Sequence, residues 1–343
     1  YFQLASLFFT FFGQGMNLHL NRALVAAILI ALTLAGCGGS SGGGDNTNFT
    51  PAPPTRYLEK PFTSVDIQPD VQYFAGDAAT NRPALVMDVY TPAGDTVTDR
   101  PVIIIAFGGG FVGGDKATVA PIATDFAQRG YVAAAIDYRT LGREPVDADE
   151  LVVAALRASH DMFAAVRFFR EQALGANTLG TRADAIFVSG VSAGGVMAAG
   201  VATTDPNDVF PSQVVRDFYA NNGGVFGLPN TNVLTTSNVQ GALPISGAVL
   251  DLNTIDAQSA PLYAAHEEFD PVVPCNTALE GSSSTGLEVS GSCAMIPVYL
   301  AAGATAELFL VEGAVNHVGY TAAEFQAILD GGAALFFNTV INP

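Results

Sequence analysis

The 343-residue sequence predicts an α/β fold with a mostly parallel central sheet and helices on both faces. Three observations carry this. From about Tyr57 onward, short β-rich runs alternate with helical ones. Residues 101–107 (PVIIIAF) form an unbroken apolar run, as a strand covered on both faces requires. Residues 185–191 read as a second buried strand, which turns through Gly190-Val191-Ser192-Ala193-Gly194 into a helix of small residues.

Bulk composition narrows the function classes. With 49% hydrophobic and 13% charged residues the chain has ample material for a core. A formal charge of -18 would repel phosphate backbones and anionic lipid headgroups, which argues against nucleic acid or a membrane surface as partners. A solvated acidic surface accounts for it. One of the three cysteines lies near the N-terminus and two lie downstream, a count that suits a single disulfide in an oxidising compartment.

The N-terminal stretch reads as an address rather than as structure. Met16 begins a short, weakly basic region followed by the apolar run 23–35, which is shorter than the roughly 20 residues that span a bilayer. It ends in Leu34-Ala35-Gly36-Cys37, similar to the lipobox of bacterial lipoproteins, where Cys37 would be lipidated; ordinary signal cleavage is the alternative. Residues 38–56 are rich in Gly, Ser, Asn and Pro and form a linker with nothing to bury. Residues 1–37 are therefore expected to be upstream residues plus a signal peptide. An exported lipoprotein follows, periplasmic or at the cell surface, touching the membrane only through a lipid on Cys37. Residues 57–343 are expected to form one catalytic domain.

Within that domain, residues 85–90 alternate in the manner of a strand with an exposed face, and 101–107 form a central strand. The latter empties into Gly108-Gly109-Gly110-Phe111-Val112-Gly113-Gly114-Asp115. Glycines there leave backbone N–H groups unobstructed, as an oxyanion hole requires. A plain flexible loop or a phosphate cradle would also use glycines, but Asp115-Lys116-Ala117 lacks the Lys-Ser/Thr that ends a phosphate loop. A helix over about 118–129 stops at Gly130, a strand follows over 131–139 with polar residues at its exit, and 151–172 shows helical spacing. Asp161 and Arg167 on this helix read as members of solvated structural ion pairs, and His160 as a surface or packing histidine.

The turn at Ser192 has the pattern of a nucleophile elbow. Such a turn brings the positions two before and two after the serine together, so both must be glycine, as Gly190 and Gly194 are. The pattern alone is weak. Gly38-Gly39-Ser40-Ser41-Gly42 and Gly39-Ser40-Ser41-Gly42-Gly43 match it too, but no strand precedes them.

Residues 205–240 are irregular, with scattered aromatics, and are expected to be a lid or pocket wall, or equally a surface insertion. Residues 242–250 read as a strand, with Ser246 and Asp251 structural. A strand also ends at His266, ahead of Glu267-Glu268-Phe269-Asp270-Pro271-Val272-Val273-Pro274. Cys275 and Cys293 bracket a Ser/Gly-rich loop; paired, they would constrain it by about 3 kcal/mol in the chain-entropy model. Free thiols are the alternative, and no ligand-spaced partners make them a metal site. Residues 307–313 form the last strand and 314–320 its exit loop, which carries His317 ahead of a terminal helix over about 322–337.

From about Leu85 to the C-terminus the chain resembles esterases of the α/β-hydrolase superfamily, of the hormone-sensitive-lipase-like and feruloyl-esterase-like branch. The matching pieces are Gly108-Gly109-Gly110-Phe111 with Gly114-Asp115-Lys116, then Asp137-Tyr138-Arg139, and Gly190-Val191-Ser192-Ala193-Gly194-Gly195 at the elbow. The resemblance implies that Asp270, ahead of Pro-Val-Val, is the triad acid over its neighbours Glu267 and Glu268, and that His266 is structural. The order Ser192, Asp270, His317 is the one this fold uses. Where the family has His before the glycines, this chain has Phe107.

The expected chemistry is hydrolysis of a carboxylic ester through an acyl-enzyme on Ser192, with His317 as base and Asp270 orienting it. Backbone N–H groups of Gly109, Gly110 and Ala193 would hold the oxyanion, and neither cofactor nor metal is required. The substrate would be a small-molecule or polymer-borne ester, with short acyl chains as the family's usual preference. An amide-cleaving relative on the same fold and a binding module that has lost catalysis are the competing readings.

Overall fold

A computed structural model of the chain describes residues 56–77, 82–227 and 236–342. The export-like segment, Cys37 and linker residues 38–55 lie outside the described residues. In chain order the elements are β1 (Val65–Phe74), β2 (Leu85–Pro92), β3 (Arg100–Ala106), α1 (Ala120–Arg129), β4 (Val132–Ile136), α2 (Ala148–Leu174), β5 (Thr181–Val191), α3 (Ala193–Thr203), α4 (Gln213–Asn221), β6 (Ala242–Ile245), β7 (Ala248–Val249), β8 (Leu262–Glu267), β9 (Thr277–Leu279), β10 (Glu288–Gly291), α5 (Ser292–Ala302), β11 (Ala306–Val311) and α6 (Ala322–Phe336).

Eight strands pair in the order β1-β2-β4-β3-β5-β6-β8-β11. The β1–β2 and β2–β4 pairs are antiparallel and the remaining pairs are parallel. Strands β3 and β5 lie in the middle, and every residue of β3 is buried. That explains why their sequences are continuous apolar runs rather than alternating ones: each has helices over it on both sides. The helices pack as two pairs, α2 with α3 and α1 with α6. Helix α1 stops where Gly130 adopts φ 111°, a left-handed cap that a Cβ would strain.

Several elements were not legible as read. Strand β1 has a polar sequence and mostly exposed residues, and its pairing with β2 slips around Asp70, which has φ 53°. An edge strand broken by a bulge shows no clean period. The strand expected over 242–250 is two strands: Ser246 at φ 49° breaks it, sending β6 into the main sheet and β7 into a small β7-β10-β9 sheet. The irregular stretch after α3 contains α4, which packs on α2.

The solvated ion pair expected on α2 does not form. Asp161 is fully buried and takes both Nε and Nη2 of Arg139, at 2.9 and 2.6 Å, together with the Arg139 N–H. It thereby ties the exit of β4 to α2. Arg167 is buried as well and donates to the Phe226 carbonyl and to Ser237 Oγ, holding the chain that follows α4. His160 packs between Phe218 and Tyr219, with ring centroids 4.9 and 5.8 Å away. Burial pushes its pKa down to about 3.

Candidate active site

The turn between β5 and α3 is built by steric exclusion. A Cβ on Gly190 would lie 2.2 Å from the Gly194 carbonyl oxygen, and one on Gly194 would lie 2.2 Å from that of Ala106. Glycine at both positions lets the backbone fold back tightly enough to lift Ser192 out of the strand at φ 56°, ψ -119°. This is a strained conformation for a residue with a side chain, and the Ser192 N–H bond to the Ile245 carbonyl, 2.9 Å, helps to fix it.

His317 reaches Ser192 from the loop after β11. Its Nε2 is 2.7 Å from Ser192 Oγ, and its Nδ1 is 2.7 Å from Asp270 Oδ2. A carboxylate only accepts, so Nδ1 carries the hydrogen and Nε2 is left to accept from the serine hydroxyl. Asp270 lies in the turn after β8, where its Oδ1 accepts the N–H groups of Val272 and Val273 at 2.8 and 3.0 Å. One oxygen is thus locked by the backbone while the other faces the imidazole. The sequence places all three residues in separate segments, and the fold brings them together.

Neighbouring acids have different tasks. Glu267, at the end of β8 and buried, accepts the Val318 and Gly319 N–H groups at 2.8 and 2.6 Å. Glu268 accepts the Gly313 N–H at 2.7 Å. Both hold the loop that carries His317, and neither touches its ring. In the sequence they stand only as rivals to Asp270, and no local pattern marks this role. His266 is fully buried; Nε2 faces the Val273 carbonyl at 2.8 Å and Nδ1 faces Ser292 Oγ at 2.9 Å. The carbonyl can only accept, so the hydrogen sits on Nε2 and Ser292 donates to Nδ1. Burial lowers the His266 pKa, in keeping with a neutral ring that braces the Asp270 turn. Ser246, with its hydroxyl 2.8 Å from that of Tyr320, ties β6 to the same loop.

On the other side of Ser192 lies the glycine loop. A Cβ on Gly108 would come within 3.1 Å of Ser192 Cβ, so the loop packs directly on the turn at Ser192. Gly109 and Gly110 take φ 120° and 59° and line one cavity of about 250 Å³ together with Ser192, Ala193 and His317. Ala193 begins α3, ahead of the first intrahelical bond from Val196 to Ser192, so its N–H is free of the helix ladder. Phe107 substitutes ring packing for the hydrogen bonding of a histidine. Its ring stacks on Tyr138 at 4.2 Å, and the Tyr138 hydroxyl donates to its carbonyl at 2.9 Å. Gly114 leaves room for the ring, since a Cβ there would lie 2.2 Å from it.

The far wall of the cavity comes from the loop closed by the Cys275–Cys293 disulfide, with Cα atoms 5.0 Å apart and 18 residues of separation. Glu280, Ser282, Leu287 and Val289 of that loop face the space above Ser192. Burial opposes ionisation of Glu280, but the Ser282, Ser283 and Thr285 hydroxyls it accepts from its own loop favour the carboxylate and keep its pKa below the usual range. Among the described residues no group of three or more His, Cys, Asp or Glu could hold a metal ion.

Residues 87–225 match the BD-FAE family model. Similar solved structures include Thermogutta terrifontis esterase 2 phosphorylated by paraoxon, 22% identical, which covers 78% of this chain and 92% of its own with a TM-score of 0.57. The native form of that Planctomycetes esterase, 20% identical with the same coverage, superposes with a TM-score of 0.58. Its butyrate-bound form, 21% identical, covers 76% and 91% with a TM-score of 0.56. The fold is that of the α/β-hydrolases. No curated protein sequence matches the chain. The fold places Ser192, Asp270 and His317 after β5, β8 and β11, at the carboxyl ends of parallel strands, where open α/β sheets bind ligands.

Proposed function

We propose that the protein is a serine carboxylesterase that works through an acyl-enzyme. The observation that carries this reading is the continuous hydrogen-bond chain from Ser192 Oγ through His317 to Asp270, each link 2.7 Å. His317 Nε2 takes the serine proton as Oγ attacks the ester carbonyl, and Asp270 stabilises the imidazolium that forms. The N–H groups of Gly109, Gly110 and Ala193 receive the oxyanion, each donor contributing about 3 kcal/mol. His317 then returns its proton to the leaving alcohol. Water, activated by the same histidine, attacks the acyl-enzyme and releases the acid. The cavity at Ser192 has room for the first few carbons of an acyl group next to the serine, a length comparable to the butyrate bound to the Thermogutta esterase.

That esterase is phosphorylated by paraoxon, so the same reagent is the direct probe here. Paraoxon is expected to add one diethylphosphoryl group to Ser192 and to abolish hydrolysis of a short-chain aryl ester. Ser192→Ala is expected to lose both labelling and turnover, and wild-type turnover in that variant would refute the assignment. The export reading of residues 1–37 stands beside this proposal: a Cys275–Cys293 disulfide suits an oxidising compartment. Mass analysis of the mature N-terminus would show a lipid on Cys37 or its absence.

A further inference from the structure

A second cavity, of about 380 Å³, lies directly against the one at Ser192. Ala155 of α2, Val196 of α3, Leu250 and Leu287 face both spaces and form the partition between them. Helix α3 supplies the floor that joins them. Val196 stands one turn after Ser192, Gly200 a further turn along, and Thr203 near the end, all on one face at helical spacing. From Ser192 to Thr203 the axis rises about 16 Å. Walls of Val152, Leu156, Phe163, Phe210, Val215 and Tyr219 make the second space apolar. No Lys, Arg or His is among its described lining residues, while Asp149 and Asp251 stand in its lining. An anionic occupant is therefore disfavoured and an uncharged hydrocarbon chain is favoured.

We propose that the two cavities form one acyl-binding channel along α3, and that the substrate carries a medium-length acyl chain, on the order of eight carbons, which passes Val196 and Leu287. The proposal rests on the serine esterase reading and extends it. The acyl half is assigned to this side by proton delivery. The leaving oxygen must lie at His317 Nε2 to receive its proton, so the alcohol is directed toward the His317 loop. The second cavity takes no residue from that loop or from the Asp270 turn. What points into it is the half that stays bonded to Ser192. Each methylene that moves from water into this lining is expected to raise kcat/KM about fourfold until the channel is full.

The experiment uses the full chain and two series of esters. In the first, p-nitrophenyl esters carry acetyl, butyryl, octanoyl and dodecanoyl groups; in the second, acetate esters carry alcohols of increasing length. The expected result is a rise of the order of a thousandfold in kcat/KM from acetyl to octanoyl, six methylenes at about fourfold each, with a flat response to alcohol length. Gly200→Leu tests the route. A Cβ at Gly200 meets only Ser159 Oγ, at 3.9 Å, and Leu is a better helix former than Gly, so the variant folds. Its side chain projects into the second cavity and obstructs the route along α3, and the octanoyl-to-acetyl ratio of kcat/KM is expected to fall at least tenfold. An acetyl or butyryl optimum in the wild type, an unchanged ratio in Gly200→Leu, or a rise with alcohol length instead would each overturn the channel while Ser192→Ala remains inactive. Turnover retained in Ser192→Ala would overturn the parent reading and the channel with it.

Discussion

Glu267→Gln offers a sharp test of how His317 is positioned in the proposed mechanism. Both carboxylate oxygens of Glu267 are used, on the Val318 and Gly319 N–H groups at 2.8 and 2.6 Å, and the side chain is buried. Val318 sits at φ 57°, where a β-branched residue is strained by about 1–3 kcal/mol. The bonds from Glu267 hold it there. A hydrogen bond to a charged group contributes about 1.5–3 kcal/mol and a neutral one about 1 kcal/mol. In the glutamine variant one bond becomes neutral, and the other becomes an N–H facing an N–H, so the loop loses about 3–4 kcal/mol of anchoring. Relief of the strain at Val318 then favours other loop conformations, and His317 spends only part of its time against Ser192. Converted at about 1.4 kcal/mol per tenfold, a loss of about 100- to 700-fold in kcat is expected. The assay is steady-state hydrolysis of a short-chain aryl ester, read beside thermal unfolding. Unaltered kcat in a folded variant would refute the positioning argument. Asp270→Asn should be far more severe, about 10⁴-fold, because it reverses the tautomer of His317. If the two severities were exchanged, Glu267 would be the triad acid.

Two further outcomes concern stability. Replacing both Cys275 and Cys293 by Ser should lower the unfolding free energy by about 3 kcal/mol, read from urea denaturation, with an unchanged midpoint counting against it. In the same variant KM should rise more than kcat falls, since the loop supplies cavity walls rather than triad members. His160 has a folded pKa of about 3, below the ordinary 6.5, so the unfolded chain binds its proton first as pH falls. Its stabilising contribution is full above pH 6.5 and is lost toward pH 3. His160→Phe, which keeps a ring against Phe218 and Tyr219, should therefore flatten the acid slope of stability by about 1.4 kcal/mol per pH unit between those limits. Parallel pH curves for the two proteins would contradict it.

The parts of the site that were legible in the sequence are those where one residue type answers to one steric or chemical need. Gly190 and Gly194 are such positions, because backbone atoms occupy the space where a Cβ would stand. His317 was separable from His160 and His266 because only it follows the last strand of the main sheet. The roles of Glu267, Glu268 and Asp270 were harder to divide, since three acids within four residues differ only in where β8 ends and how the turn beyond it folds. No local pattern shows that Glu267 binds a loop fifty residues away. The second cavity was equally hidden: its walls come from α2, α3, the α4 region, β7 and the disulfide loop, which meet only in space. Buried Asp161 misled because its partner, Arg139, lies outside its helix.

The packing of Phe107 on Tyr138, with Gly114 making room, has a bearing on how the enzyme would respond to its surroundings. A glycine loop braced by a protonatable imidazole would loosen or tighten as that group gained or lost a proton. Here the brace is a pair of stacked rings and one tyrosine-to-carbonyl bond, and burial pushes the Tyr138 hydroxyl well above its ordinary pKa. Acidification therefore leaves the oxyanion donors where they are. The Phe107–Tyr138 brace therefore adds no acid transition of its own to the pH response of turnover. The loop would keep its shape in any medium that leaves the fold intact.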